Sequence, residues 1–574
     1  MITVRRVMGV ETEYALLDTA DPAADPDTLA TDLLYAYARA AAPHTAATEH
    51  VPGAHGRTLE PGAGCRFDYS GERPRADARG MTAEDLPEEA RTDEVRGASL
   101  TGARTTWVLR ITPFESHYYR GSATHAANGG RLYVDHTHPE YAAPEALGPE
   151  AAALYDQAGD VIMARAVTAL NEQQGRRAVV VKNNTDGKGQ AWGAHESYAM
   201  ARDVDWDLIT AVLLPFLVTR PIIGGAGRVG LGPAAETDGF QIFARADFIE
   251  TDVSLHTTRE RPIVNTRDEP HAEPGEWRRL HVITADSSMF ATTAVLRLGS
   301  LAALLDLLEK RDDIARSLAE SYTLADPVAA VREVSRDLTL TAPLPLAHGG
   351  QATALEIQRG FYEAIREAAG TTCDAETARV LDLWGEALDA LTQAAQNGSF
   401  APASQLIEWC AKYQLLERLR RKYDCGWGDP RLKAADLQFA MVGPASSLAS
   451  ALERSGAVRT QVTAEEVAAA EFTAPADTRA GGRAALLAAY PDRVWAAGWT
   501  SIVVDIDRKH LLRVELNDPL HPTAAEMAEA IEGSPSLADT VTRLGAPIPE
   551  DPVTLGWHEG VYATDNEDEE ETSW

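Results

Sequence analysis

Two stretches decide the fold: Val4-Arg-Arg-Val-Met-Gly-Val-Glu-Thr-Glu-Tyr-Ala-Leu-Leu17 and, far along the chain, Arg131-Leu-Tyr-Val-Asp-His-Thr-His-Pro-Glu-Tyr141. The first alternates apolar and polar residues before a turn-like Asp/Pro/Ala run. That is the period of a strand, and it puts Glu11 and Glu13 on one face. In the second, Arg131, Tyr133 and Asp135 share one face of a short strand and Glu140 follows after a turn. Hard cations such as Mg²⁺ take carboxylate oxygens, and a nucleoside triphosphate needs such cations together with arginines around its phosphates.

Outward from these strands, the pattern predicts a helix over Asp27–Ala42 and a long polar segment reaching Gly130. A helix over Pro149–Gln174 and a strand over Ala178–Lys182 follow, the strand running into the turn Asn183-Asn184-Thr185-Asp186-Gly187. Helical periodicity returns at Trp206–Val218, Ser288–Ala319 and Thr353–Ala395, the last broken near Thr371, and another helix ends in the cationic run Glu417–Tyr423. Gly239–Ala246 and Thr500–Ile506 read as strands, with helices near Ala484 and Ala524. We place a boundary near 435, giving a large domain over 1–435 with a long insertion over about 43–128, a small domain over 436–545 and an acidic disordered tail over 546–574.

The 574 residues carry a formal charge of −33, from 53 Lys+Arg against 86 Asp+Glu. So acidic a chain repels phosphate backbones and anionic lipid, which argues against nucleic acid as a partner. Only seven of the cations are lysine; arginine's fixed fork suits carboxylate and phosphate. Uninterrupted apolar runs such as Ala211 to Val218 fall far short of the roughly 18–20 residues that cross a bilayer, so no membrane span is expected. Glu11 and Glu13 interrupt what would be the apolar core of a signal peptide. Cys65, Cys373, Cys410 and Cys425 are scattered without a C-x-x-C pair, as suits a reducing cytoplasm.

Further groups complete a set of carboxylates, histidines and guanidinia: His195-Glu196, Arg228 in the glycine-rich Gly224–Gly232, Arg245, Arg267-Asp268-Glu269, and Arg278-Arg279-Leu280-His281. Such a set is what an ATP–magnesium site on a sheet surface requires. Plainer readings stand beside it. The glycine-rich loop lacks the Lys-Ser/Thr of a P-loop, His281 sits between apolar Leu280 and Val282, and Arg267-Asp268-Glu269 could equally be a structural ion-pair network.

Six strings in one order resemble one family: Met8–Tyr14, Arg131–Tyr141, Lys182-Asn-Asn-Thr-Asp186, His195-Glu-Ser-Tyr198, Gly225-Ala-Gly-Arg-Val-Gly230 and Arg261–Ala272. By them the chain is identified as a member of the Dop/PafA family, which handles the ubiquitin-like protein Pup and is related to glutamine synthetase and carboxylate–amine ligases. The resemblance implies an α+β fold: a large glutamine-synthetase-like domain with a curved antiparallel sheet cradling ATP (or ADP) and Mg²⁺, and a small α/β C-terminal domain. It also implies that Glu11, Glu13, Tyr133, Glu140 and His281 hold Mg²⁺. Arg131, Arg245, Arg267 and Trp499 would contact the nucleotide, His195 and Glu196 would line the same cradle, and Asp135 would be the catalytic carboxylate.

Ligase and depupylase share nearly all of this. Here Asp135 is followed by His-Thr-His-Pro-Glu, where the ligase typically carries one more residue and Val-Gly-Ser in place of His-Thr. Asp68–Gly80 resembles part of a loop that only the depupylase carries. The resemblance therefore implies a cytoplasmic hydrolase that cleaves the isopeptide bond between the Pup C-terminal glutamate side chain and a substrate lysine, or deamidates a C-terminal glutamine, with Pup and pupylated proteins as partners. Asp135 would act as nucleophile or as general base; the residues do not choose. The helix ending Arg418-Leu-Arg-Arg-Lys-Tyr423 is a candidate wall of the Pup groove. Phe243-Ala244, where the family usually has Ser-Gln, and Ala143 and Ala285–Ser288 depart from the pattern. A Pup ligase, or a divergent paralogue acting on another glutamyl amide, are the alternatives.

Overall fold

Strands Val7–Glu13 (β1), Ala123–His125 (β2), Arg131–Asp135 (β3), His138–Ala142 (β4), Ala194–Ala201 (β5) and Trp277–Ala285 (β6) form one antiparallel sheet in the order β6-β5-β1-β4-β3-β2, with Ala146–Leu147 also pairing with β1. This computed structural model describes residues 1–41, 51–52, 58–59, 66–68, 73, 75–80, 105–108, 123–233, 237–443, 447–491, 493–507, 511–545 and 548. The acidic tail expected over 546–574, apart from residue 548, and most of the insertion expected over 43–128 lie outside the described residues.

The register decides what each face carries. Glu13 opposes Glu140, which opposes Tyr133; Glu11 opposes Ala142 and His195; Ser197 opposes His281. Residues directly opposite in an antiparallel pair point to the same side, so all these side chains share one face. The intervening Met8, Val10, Leu132, Tyr141, Tyr198 and Val282 point to the other side and are buried in the main core.

Helices Pro26–Ala41 (α1), Pro149–Gln174 (α2) and Ala291–Lys310 (α3) contribute to that core behind the sheet. Gly159 of α2 permits close approach, because a β-carbon there would stand 2.3 Å from the Tyr141 ring. Between these layers Lys182 is fully buried, its Nζ 3.1 Å from Asp156 and 3.2 Å from Asp160. Thr12 Oγ1 donates to Asp156 at 2.9 Å. An ammonium in a dry layer needs such partners.

Helix α3 carries no uninterrupted apolar run of bilayer-crossing length, since Arg297 and Asp306 break it, but its 20 residues are long and apolar enough by length and composition, and its most apolar window is 100% buried inside the protein. A helix apolar all round belongs in the core of a large protein as readily as in a membrane. The expected helix over Ser288–Ala319 is two, Ala291–Lys310 and Asp312–Tyr322, broken at Arg311. The strand expected over Gly239–Ala246 ends at Gln241.

A second, smaller sheet joins Val494–Ala497 (β7), Ser501–Asp505 (β8) and Leu511–Glu515 (β9), flanked by Arg66–Phe67 and Thr105–Val108 from the insertion. Helix Arg479–Ala489 (α4) and the helices Ala524–Glu532 and Leu537–Arg543 pack with it around Leu486, Ile502, Val504, Leu512, Val514 and Met527. The boundary expected at 435/436 falls inside continuous packing. Phe439, Ala440, Ala449 and Val458 pack against Val181, Met289, Phe290 and Ala411, and Ala470 joins the main core. The separate core begins only with α4, and the insertion supplies both edges of its sheet.

Candidate active site

Strand alternation gathers two clusters on the open face of the large sheet. Carboxylate or imidazole atoms of Glu11, His195 and His281 lie within 4.8 Å of one another, as do those of Glu13, Asp135 and Glu140. His195 Nδ1 is 3.5 Å from Glu11 Oε2 and its ring meets that of His281 edge-on at 5.3 Å. His195, expected beside the nucleotide, thus stands with two of the expected metal ligands. Tyr133 is hydrogen-bonded to Glu140.

Charge crowding marks this as a place for cations. Burial pushes the Glu140 carboxyl well above the usual range, and the charges of Glu13, Glu11 and Asp135 push the same way. Burial likewise raises Glu13, with Asp135 adding and His195 and Arg245 opposing. At Glu11 burial pulls upward but loses to the His195 hydrogen bond and charge and to Arg279 and Arg267, so its pKa is lowered. Burial, then Arg279 and His195, push His281 well below its ordinary value. A neutral imidazole and clustered carboxylates are a fitting donor set for a divalent cation, which would relieve the repulsion that raises Glu13 and Glu140.

Asp135 ends β3 at the rim, its side chain 42% exposed and its Oδ1 2.8 Å from His136 Nδ1. The turn to β4 has positive φ at both His136 (45°) and Thr137 (83°), the two-residue hairpin geometry that asparagine and glycine usually supply. Across the turn the His138 ring packs at a tilt of 34° against Trp192 with ring centroids 4.5 Å apart, and its Nδ1 lies 3.7 Å from Glu13.

Arginines surround the clusters. Arg131 lies over the rings of Phe67 (3.8 Å) and Tyr133 (4.1 Å). Arg245, buried, donates from Nη1 to the carbonyls of Ile283 and Ala285, both at 2.9 Å. Its Nε and that of Arg267 are buried with no hydrogen-bond partner. Orphaned buried guanidinium donors are costly and fit an anion such as phosphate. Arg279 donates to Ser197 Oγ at 3.1 Å and pairs with Glu269 at 3.4 Å. Trp499 reaches the site from the small unit, lining a cleft with Gly9, Glu11, Ala143 and Arg279, and meets Phe67 edge-on at 5.8 Å.

Other expected residues stand elsewhere. Glu196 does not line the cradle: alternation turns it to the back of the sheet, where it pairs with Arg220 (2.7 Å) and Arg297 (3.2 Å) and accepts from Tyr198 Oη (2.8 Å). Gly225 serves packing, since a β-carbon there would lie 2.4 Å from the Ile242 carbonyl oxygen, and Arg228 pairs with Asp247 at 3.3 Å. Phe243 and Ala244 are buried, their N–H groups donating to Ser335 Oγ and Asp286. That departure sits in the core, whereas Ala143 lines the cleft. Arg420 and Arg421 both pair with Glu417, at 2.6 and 2.8 Å. Sequence reasoning missed Phe67 and Trp192; only His138 had a signal, the two-residue spacing from Glu140.

The family model described as Pup-ligase protein matches residues 6–503. A protein named Pup deamidase/depupylase from Mycobacterium tuberculosis is 35% identical over 545 residues, 95% of this chain and 99% of that one. The crystal structure of the complex between Prokaryotic Ubiquitin-like Protein Pup and its ligase PafA superposes with a TM-score of 0.68 at 28% identity, covering 93% of this chain and 92% of that one. The structure of the Pup ligase PafA in complex with ADP gives a TM-score of 0.64 at 31% identity; 99% of it is covered, but only 79% of this chain.

Proposed function

The chain belongs to the Pup-ligase protein family, and from that membership we propose that it is a depupylase and Pup deamidase. It hydrolyses the isopeptide bond between the Pup C-terminal glutamate side chain and a substrate lysine, and converts a C-terminal glutamine of Pup to glutamate. The observation that carries this reading is the match in extent. In sequence the depupylase relative aligns over 95% of this chain, whereas a Pup–protein ligase from Corynebacterium jeikeium, at the same 35% identity, aligns over 72% of it.

The reaction is an amide hydrolysis: the C–N bond of the γ-amide breaks, a C–O bond forms, and lysine amine or ammonia leaves with a proton from water. Asp135, on an exposed rim beside two buried carboxylates, either attacks the carbonyl carbon, giving an acyl intermediate that water resolves, or takes a proton from the attacking water. Glu11, Glu13, Tyr133, Glu140 and His281 would hold Mg²⁺, with His195 joining Glu11 and His281. Bound there, Mg²⁺ supplies charge neutralisation and polarisation of oxygen. Arg131, Arg245, Arg267 and Trp499 would bind ATP or ADP, the donors left over at Arg245 and Arg267 meeting phosphate oxygens. Pup and pupylated proteins are the partners on this reading, and the cytoplasm is its location.

Incubated with ATP, Mg²⁺ and a Pup-conjugated protein, the wild type is expected to release free Pup and Asp135→Asn is not. Conjugate left intact by the wild type would sink the proposal. New conjugates forming from glutamate-ended Pup and a lysine-bearing target, faster than old ones disappear, would reverse the direction to ligation.

A further inference from the structure

Glu145 lies in the link between β4 and the pairing segment Ala146–Leu147, and it is one of the points, with the His125 ring against the Ala497 carbonyl, where the two units are tied together. It accepts from Arg479 Nε at 2.8 Å and from Arg483 Nη2 at 2.6 Å, and its backbone carbonyl accepts from Thr478 Oγ1. All three partners belong to the start of α4 or the residue before it. Both guanidinia are buried and are spoken for again on the far side. Arg483 donates to the Trp499 carbonyl at 2.9 Å and to the Gly129 carbonyl at 3.2 Å, while Arg479 donates to the Leu516 carbonyl at 2.9 Å. The Arg483 guanidinium also lies 5.5 Å from the Trp499 ring.

The cleft beneath has two walls. Gly9, Glu11, Ala143 and Arg279 come from the sheet side, and Arg479 and Trp499 from the small unit. The second wall exists only while the small unit is held against the first. Although burial opposes its charge, Arg483 and Arg479 hold the Glu145 carboxyl down at about 2, so the clamp is ionised at all ordinary pH. A carboxylate shared by two buried guanidinia is a rigid joint, because removing it leaves two unpaired charges in a dry layer.

We infer that Glu145 is a positioning residue for the nucleotide: through Arg483 it sets Trp499 against the cleft, so that nucleotide affinity depends on it while the cleavage step at Asp135 does not. This rests on the reading above that the cradle binds ATP or ADP.

The test measures ADP binding by titration calorimetry with Mg²⁺, and Pup release against nucleotide concentration, on the full chain. Glu145→Gln is expected to weaken ADP binding and raise the nucleotide KM by about tenfold or more, with kcat at saturating nucleotide within about twofold of wild type. If Glu145→Gln does not accumulate as folded protein, Arg483→Lys asks the same question. It keeps a cation for Glu145 but removes the fork that also reaches Trp499 and Gly129, and is expected to weaken ADP binding several-fold at unchanged kcat. A folded variant that binds ADP as wild type does, or that loses kcat with KM unchanged, overturns the inference. A wild type that binds neither ADP nor ATP overturns the nucleotide reading itself, and the inference with it.

Discussion

At Glu140 burial and three neighbouring carboxylates act in the same direction, and the consequence can be measured without substrate. A carboxyl whose folded pKa lies above its unfolded value holds its proton more tightly when folded. Its stabilising contribution is complete below the unfolded pKa and is lost as pH rises through the raised folded value. Glu140→Gln removes that loss, so at pH 7 without metal it is expected to be more stable than wild type by ~1 kcal/mol or more, read as a higher Tm. Mg²⁺ is expected to raise the wild-type Tm more at pH 8 than at pH 5.5, and to do little for Glu140→Gln, which should also lose activity. The residues concerned were legible in the sequence because a strand repeats every two residues: Glu11 with Glu13, and Arg131 with Tyr133 and Asp135, had to face one way. The same rule separates His195 from Glu196. Read as a pair they suggest one site, but neighbours on a strand point to opposite faces.

Among the elements, α2 begins and ends as its sequence predicts. Pro149 takes the first helical position, where its missing N–H costs nothing, and Gly175 stops the helix at φ 66°. The break at Arg311 carries no proline or glycine, so periodicity ran through it. Strand β5 shows how an element serves two layers: His195 and Ser197 face the site while Glu196 anchors the back through Arg220 and Arg297. Glu196→Gln leaves those guanidinia without a full counter-charge in the core, and a loss of about 3–5 kcal/mol is expected, measured by urea unfolding. The fraction that remains folded should bind Mg²⁺ as wild type does. A variant of wild-type stability with weakened metal binding would instead return Glu196 to the site.

For the whole molecule the small unit is held by residues remote in sequence. Asp68, from the insertion, accepts from Ser501 Oγ at 2.7 Å and Arg513 Nε at 2.9 Å, closing the parallel pair of Arg66–Phe67 with β7. Asp68→Ala is expected to cost about 1–3 kcal/mol. In hydrogen exchange it should lose protection over β8 and β9 while sparing β1 and β5; uniform loss across both sheets would mean that the units unfold as one. The sequence reads as a long polar insertion over about 43–128, yet its strands complete a sheet more than 380 residues away in sequence. What the sequence by itself determined were the local periods, the facing of carboxylates along each strand and the family strings. Those depend on backbone geometry and on side chains within a few residues. Which strands lie side by side, that His195 joins Glu11 and His281, that Glu196 belongs to the core, and that Glu145 ties Trp499 to the cleft were decided only by tertiary structure. These are pairings across hundreds of residues, selected by burial and charge balance that no local period encodes.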